Sequence, residues 1–125
     1  MGILSSLFAP RKKVAPTPVR DLAAFRAEVA DSDLPVIVDV WSESCAPCRQ
    51  LAPVLVDVAT RHEGRVRVVE VSADSEPALI ARLKVRATPT VIIYERGEEL
   101  GRVAGLSPGS WFDEMIEAEF PEGSS

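Results

Sequence analysis

The chain has 125 residues, 46% of them hydrophobic and 26% charged, and a formal net charge of −5 at pH 7. That length suits one domain able to bury roughly two thirds of its unfolded surface without disulfide staples. The acidity excludes a broad electrostatic grip on nucleic acid, no apolar run reaches the ~18–20 residues of a membrane span, and two cysteines cannot build the multi-bridge framework of a small secreted domain.

The first thirteen residues, MGILSSLFAPRKK, carry their charges (Arg11, Lys12, Lys13) after a short apolar stretch, the reverse of a secretory signal. Met1-Gly2 with Ser6 fits the loose N-myristoylation pattern. Ile3, Leu4, Leu7 and Phe8 beside the basic triplet offer a weak membrane-surface contact as the alternative to a mobile tail. We expect a flexible tail over 1–13, a domain over 14–120 and a disordered end over 121–125.

VAPTPV (14–19) is apolar but holds two prolines, so it can serve only as a poor or edge strand. RDLAAFRAEVA follows, with Leu22, Phe25 and Val29 at helical spacing. PVIVDVW (35–41) is a nearly continuous β-branched run, the pattern of a strand buried on both faces. From Cys45 the period changes, and Leu51, Val54, Leu55 and Val58 mark a helix ending near Gly64. VRVVEV (66–71) is a second buried strand, SEPALIARL (75–83) a short helix, and TPTVIIYE (88–95) a third strand. RGEE reads as a tight turn into LGRV (100–103), an antiparallel hairpin. Ser107 before Pro108 suits a helix start, and the helix after it is expected to bury Trp111, Met115 and Phe120. The order β-α-β-α-β-α-β-β-α, with right-handed crossovers, gives a three-layer α/β domain: a central mixed sheet with helices on both faces.

The chemistry sits at the strand-to-helix junction WSESCAPC. Structural zinc wants four ligands, and the chain offers two thiols and His62 with no second histidine at finger spacing. Zinc or an iron–sulfur cluster bridged between two chains stays open. Haem attachment needs a histidine directly after Cys48, where Arg49 stands. A redox pair explains more. Cys45 lies at the mouth of a helix, where first-turn N–H groups and the macrodipole favour a thiolate. Cys48 is three residues on, on the same face, and Pro47 is tolerated in the first turn. Asp39, a carboxylate inside VIVDVW, is costly to bury unless paired or protonated, so its pKa should rise. We expect it to act as general acid/base for Cys48.

VDVWSESCAPCRQLAPVL resembles the active-site segment of the thioredoxin family. The likeness runs without an internal gap from about residue 20 to 118, through Pro53, ATPT and ERGEELGRVAG. It implies the thioredoxin fold and a protein disulfide reductase in which Cys45 attacks a substrate disulfide and Cys48 resolves the mixed disulfide. It also implies that Asp39 handles the Cys48 proton and that Thr88-Pro89 is the cis-proline loop facing the cysteines. Trp41 matches the family's packing tryptophan, Ala46 and Pro47 lie between the thiols, and Gly105 leaves room for substrate.

Four residues depart from the family pattern. Ser44 stands in place of a tryptophan and Ala46 in place of a glycine. Thr88 stands where many reductases carry an aliphatic residue. Glu70 replaces a lysine that commonly faces the buried aspartate, which should raise the Asp39 pKa further and make the two carboxyls titrate as a pair.

The expected protein is a cytoplasmic, monomeric thiol–disulfide oxidoreductase without metal or organic cofactor. Its partners would be disulfide-containing proteins and a recycling reductase, not nucleic acid or a stable membrane association. The rivals are a redox-inert adaptor binding through its Trp41/Pro89 face and the bridged metal or cluster carrier.

Overall fold

Five strands form one sheet in the order β1-β3-β2-β4-β5 in a computed structural model that describes residues 12–121. The tail expected over 1–13 and the end expected over 121–125 therefore lie almost wholly outside the described residues. The strands are β1 (Thr17–Pro18), β2 (Val36–Trp41), β3 (Arg67–Ser72), β4 (Thr90–Glu95) and β5 (Glu98–Ala104). β1 and β2 both pair with β3 in parallel, while β4 runs antiparallel to β2 and to β5. The proline-bearing first strand is held to two residues at the sheet edge, where a missing N–H costs least.

Among the described residues, four helices cover the sheet. Asp21 opens α1 (Leu22–Phe25) by accepting the Ala24 N–H at 2.7 Å, and the helix widens into a π-helical turn over Arg26–Ala30. The others are α2 (Ala46–Arg61), α3 (Pro77–Leu83) and α4 (Gly109–Glu119). Alternation along β2 explains the three layers. Val36, Val38 and Val40 pack with Phe25, Val29, Leu79 and Leu83 of α1, its π turn and α3. Ile37 points the other way, toward Leu51, Leu55 and Val58 of α2 and toward Phe112 and Ile116 of α4. Each such side chain contributes about 1.5–3 kcal/mol by leaving water. Asp39 and Trp41 share the Ile37 face, so β2 delivers a carboxylate beneath the start of α2.

Two local expectations need correction. The β4–β5 turn is only Arg96-Gly97, with φ of 53° and 80°, so β5 begins at Glu98 rather than after Glu99. Two successive left-handed residues match strand twist in a two-residue hairpin. Gly97 is also required because a Cβ there would meet the Ala30 carbonyl oxygen at 3.0 Å.

Ser107 does not cap α4. Pro108 occupies the cap position in extended conformation, without a side-chain hydrogen bond, and the helix starts at Gly109. The helix is also rotated from expectation. Phe112 and Ile116, one turn apart, are fully buried, Phe120 is buried just past the helix end, and Met115 is half-buried. Trp111 is 37% exposed, its ring edge-on to Phe112 at 5.1 Å.

Candidate active site

β2 ends at Trp41, and the loop Ser42–Ser44 turns the chain into α2. Three bonds fix that turn. The Cys45 N–H donates to the Ser42 carbonyl at 3.3 Å, the Arg49 guanidinium to the Glu43 carbonyl at 2.9 Å, and the Glu43 N–H to Asp74 Oδ2 at 2.7 Å. Cys45 itself is the N-cap residue of α2, in extended conformation, and its Sγ accepts the Cys48 N–H at 3.2 Å. The sulfur thus does what a capping oxygen does elsewhere: it satisfies a first-turn donor. Cys45 and Cys48 form a disulfide with their Cα atoms 5.2 Å apart. Cys45 is half-buried, Cys48 is 4% exposed, and Ala46 and Pro47 between them face solvent.

The expected proton acceptor lies below the pair. Asp39 is 4% exposed, and its Oδ1 is buried without a hydrogen-bond partner among the described residues. Burial, and after it the charge of Glu70, pushes its pKa up from 3.8 to about 7. Glu70 sits directly opposite Asp39 in the β2–β3 register. Its own pKa is raised by burial, with Arg20 acting in the opposite direction. A cleft of about 390 Å³ is lined by Asp39, Trp41, Glu43, Cys48, Arg49 and Glu70, among others. Asp39 and Cys48 therefore share one space.

The remaining predicted residues come to the same end of the sheet. The Thr88-Pro89 bond is cis. Thr88 Oγ1 and Ser42 Oγ are hydrogen-bonded at 3.1 Å, joining the cis-proline loop to the cysteine loop. The Gly105 N–H, in a backbone with φ of 89°, donates to the Pro89 carbonyl at 2.9 Å. Trp41 is half-buried beside the cleft, and its Nε1 has no partner among the described residues. Ser44 is exposed next to Cys45.

His62 does not belong here. It follows the C-terminal end of the 16-residue α2, about 24 Å from the cysteine end at 1.5 Å per residue. There its Nε2 meets Asp113 Oδ1 at 2.6 Å. It cannot join Cys45 and Cys48 around one metal within a single chain, and among the described residues no three His, Cys, Asp or Glu side chains are grouped to hold an ion. Sequence reasoning missed Ser42, Arg49 and Asp74 as the residues that fix the cysteine loop, and Arg20 as the charge acting on Glu70. Only the polar run SES hinted at the first of these.

A family model for thioredoxin matches residues 17–118. Thioredoxin 1 of Nostoc sp. is 37% identical over 95 residues, covering 76% of this chain and 89% of that relative. Thioredoxin of Synechocystis sp. is 36% identical over 101 residues, covering 81% and 94%. Thioredoxin of Streptomyces clavuligerus is 40% identical over 84 residues, covering 67% and 78%. An asparagine-to-glutamine mutant of thioredoxin from Halobacterium salinarum NRC-1 has the same fold, with a TM-score of 0.78 at 26% identity, covering 89% of this chain and 95% of that one.

Proposed function

This chain belongs to the thioredoxin family and is a thioredoxin-type disulfide reductase, and we propose that Cys45 is its attacking thiol, Cys48 its resolving thiol and Asp39 the base for Cys48. The observation that carries the assignment is the asymmetry of the pair. Cys45 sits at the helix mouth, half-exposed, with a backbone N–H aimed at its sulfur, whereas Cys48 is buried over a cleft it shares with a carboxyl of raised pKa. A helix N-terminus favours negative charge, so the reduced Cys45 is the thiol biased toward thiolate.

In the reduced protein the Cys45 thiolate attacks one sulfur of a substrate disulfide, forming a mixed disulfide and releasing the first substrate thiolate. Asp39, ionised, takes the proton of the Cys48 thiol. The Cys48 thiolate then attacks Cys45 Sγ, the second substrate thiolate leaves, and the Cys45–Cys48 disulfide remains. Two electrons have passed from the dithiol to the substrate, and a reductase returns them. The dithiol is the electron carrier, so the step requires no metal or organic cofactor.

Substrate lies across Trp41, Ala46, Pro47, Thr88, Pro89 and Gly105 in this reading. It is supported by the hydrogen bonds that join Ser42 to Thr88 and Pro89 to Gly105. The domain runs from 14 to 120: Val14 donates its N–H to Thr60 Oγ1 at 2.9 Å and packs on the α2 side of the core. A monomer acting in the cytoplasm on protein disulfides is the setting we favour. No helix among the described residues is long and apolar enough to cross a membrane.

The test is trapping. Cys48→Ser should accumulate a mixed disulfide with a disulfide-bonded protein such as insulin, and Cys45→Ser should neither trap nor reduce it. Trapping by Cys45→Ser instead reverses the two roles.

A further inference from the structure

Two loops meet at the cysteine end of the sheet. β2 runs out at Trp41 into residues 42–45, and the chain enters β4 at Thr90 from residues 84–89. β2 and β4 are antiparallel neighbours with Val40 opposite Thr90, so the loops leave the sheet side by side. Asp74 and Arg49 hold the cysteine loop at Glu43, through its N–H and its carbonyl. Toward the cis-proline, a single side-chain hydrogen bond holds it among the described residues, between Ser42 Oγ and Thr88 Oγ1 at 3.1 Å. Ser44 is exposed, so packing of its side chain adds little to that hold. The Ser42 carbonyl also accepts the Cys45 N–H at 3.3 Å. One residue thus touches both the backbone of Cys45 and the residue before Pro89. Thr88 is steadied from beneath as well, where the Thr90 hydroxyl donates to the Ala87 carbonyl at 2.6 Å.

We propose that Ser42 is a positioning residue that selects for disulfides carried on a peptide chain: its hydroxyl bond to Thr88 fixes the spacing between Cys45 and Pro89, which such a substrate must touch at once. The inference rests on the reading that Cys45 attacks and that substrate lies along Pro89. Reacting atoms tolerate little error in distance or angle, and a misplacement of about 1 Å can cost ~10²-fold in rate. A peptide seated along Pro89 cannot shift to follow Cys45 when the gap between the loops changes. A small disulfide without a peptide backbone meets Cys45 alone and adjusts freely. The bond therefore matters to the first kind of substrate and not to the second. Each hydroxyl can donate or accept, and both residues are half-buried. When one partner is removed the other can turn to water, so the fold loses little. The bond sets a spacing more than it stabilises.

The test compares two substrates in single turnovers of the full-length reduced protein. 5,5′-Dithiobis(2-nitrobenzoate) has no peptide backbone, and the first coloured thiolate it releases reports attack by Cys45. Reaction with insulin is read by quenching with a thiol-alkylating reagent and weighing the protein by mass spectrometry. Ser42→Ala should slow the insulin reaction by roughly three- to tenfold and change the small-disulfide rate by less than about twofold. Thr88→Val removes the same bond from the other side, so adding Ser42→Ala to it should cause no further loss. Ser42→Thr keeps a hydroxyl and should restore most of the insulin rate. Melting curves check that each variant is folded. A merely structural role slows both substrates alike, and equal losses overturn the inference. An unchanged insulin rate in Ser42→Ala also overturns it, and if Cys45→Ser still abolishes that reaction the assignment of Cys45 stands. If Cys45→Ser reacts with insulin as fast as the parent protein, that assignment falls and the inference falls with it.

Discussion

The two ends of α2 handle charge in opposite ways. At the C-terminal end the side-chain bonds run to α4, although His62 Nδ1 and Arg65 Nε are buried without a partner among the described residues. Asp113 takes His62 at 2.6 Å and Arg61 at 3.2 Å, and Arg65 reaches Glu117 and the Phe120 carbonyl, each at 2.9 Å. At the N-terminal end two carboxyls of like sign share a cleft, and the deeper has an oxygen without a partner among the described residues. One end is built to hold helices together. The other keeps a group away from its preferred protonation state, which is what a proton acceptor near neutral pH requires.

The two ends should also respond to pH with opposite sign. Asp39 binds its proton more tightly folded than unfolded. Its contribution to stability is complete below its ordinary value of 3.8 and is lost as pH rises to about 7. Burial alone would raise Asp113, but hydrogen bonds from His62 and Arg61 outweigh it and leave its pKa lowered. Its contribution is present above the ordinary carboxylate value and is lost as pH falls through the lowered one.

The largest expected effect breaks the contrast at the N-terminal end. Asp39→Asn keeps the shape and removes the charge. It should stabilise the fold by about 2 kcal/mol at pH 8 and slow resolution of the mixed disulfide by roughly 10²-fold. Urea melts and thiol-release kinetics measure the two. Loss of stability together with unchanged resolution would place Asp39 in a structural role only.

At the other end, Asp113→Ala strands the buried His62 and should destabilise by about 1–3 kcal/mol while leaving insulin reduction unchanged. A drop in turnover without unfolding would show that the two ends are coupled. Arg65→Gln loses one exposed ion pair and one carbonyl contact and should cost about 1 kcal/mol or less in the same melts. Smallest of all, removal of residues 1–13 should leave both melting temperature and turnover unchanged, because that segment has no periodic apolar face long enough to join the core. A clear loss of stability would extend the domain beyond residue 14.

The contrast between the ends also marks what the sequence could carry. The cysteine end was readable because its signals are local. A β-branched run interrupted by Asp39 and two thiols three positions apart at a change of period announce themselves within a few residues, while the role of Thr88-Pro89 came from the family resemblance. The histidine end was not readable. His62 and Asp113 are 51 positions apart, and nothing near either one names the other. The same holds for Arg20 and Glu70.

The rotation of α4 failed for a different reason. Residues 111, 112, 115 and 116 are all apolar, so two stripes of equal period compete, and only packing against α2 and the sheet selects Phe112 and Ile116. Ser107 failed as a cap because Pro108 stays extended and itself takes the cap position.

The buried acid beneath the cysteines should titrate near neutrality. Carbon-13 NMR of the Asp39 carboxyl in the Cys45–Cys48 disulfide form, from pH 3 to 10, measures it directly. The expected midpoint is about 7, displaced downward in Glu70→Gln. A midpoint near 4, the ordinary carboxylate value, contradicts it.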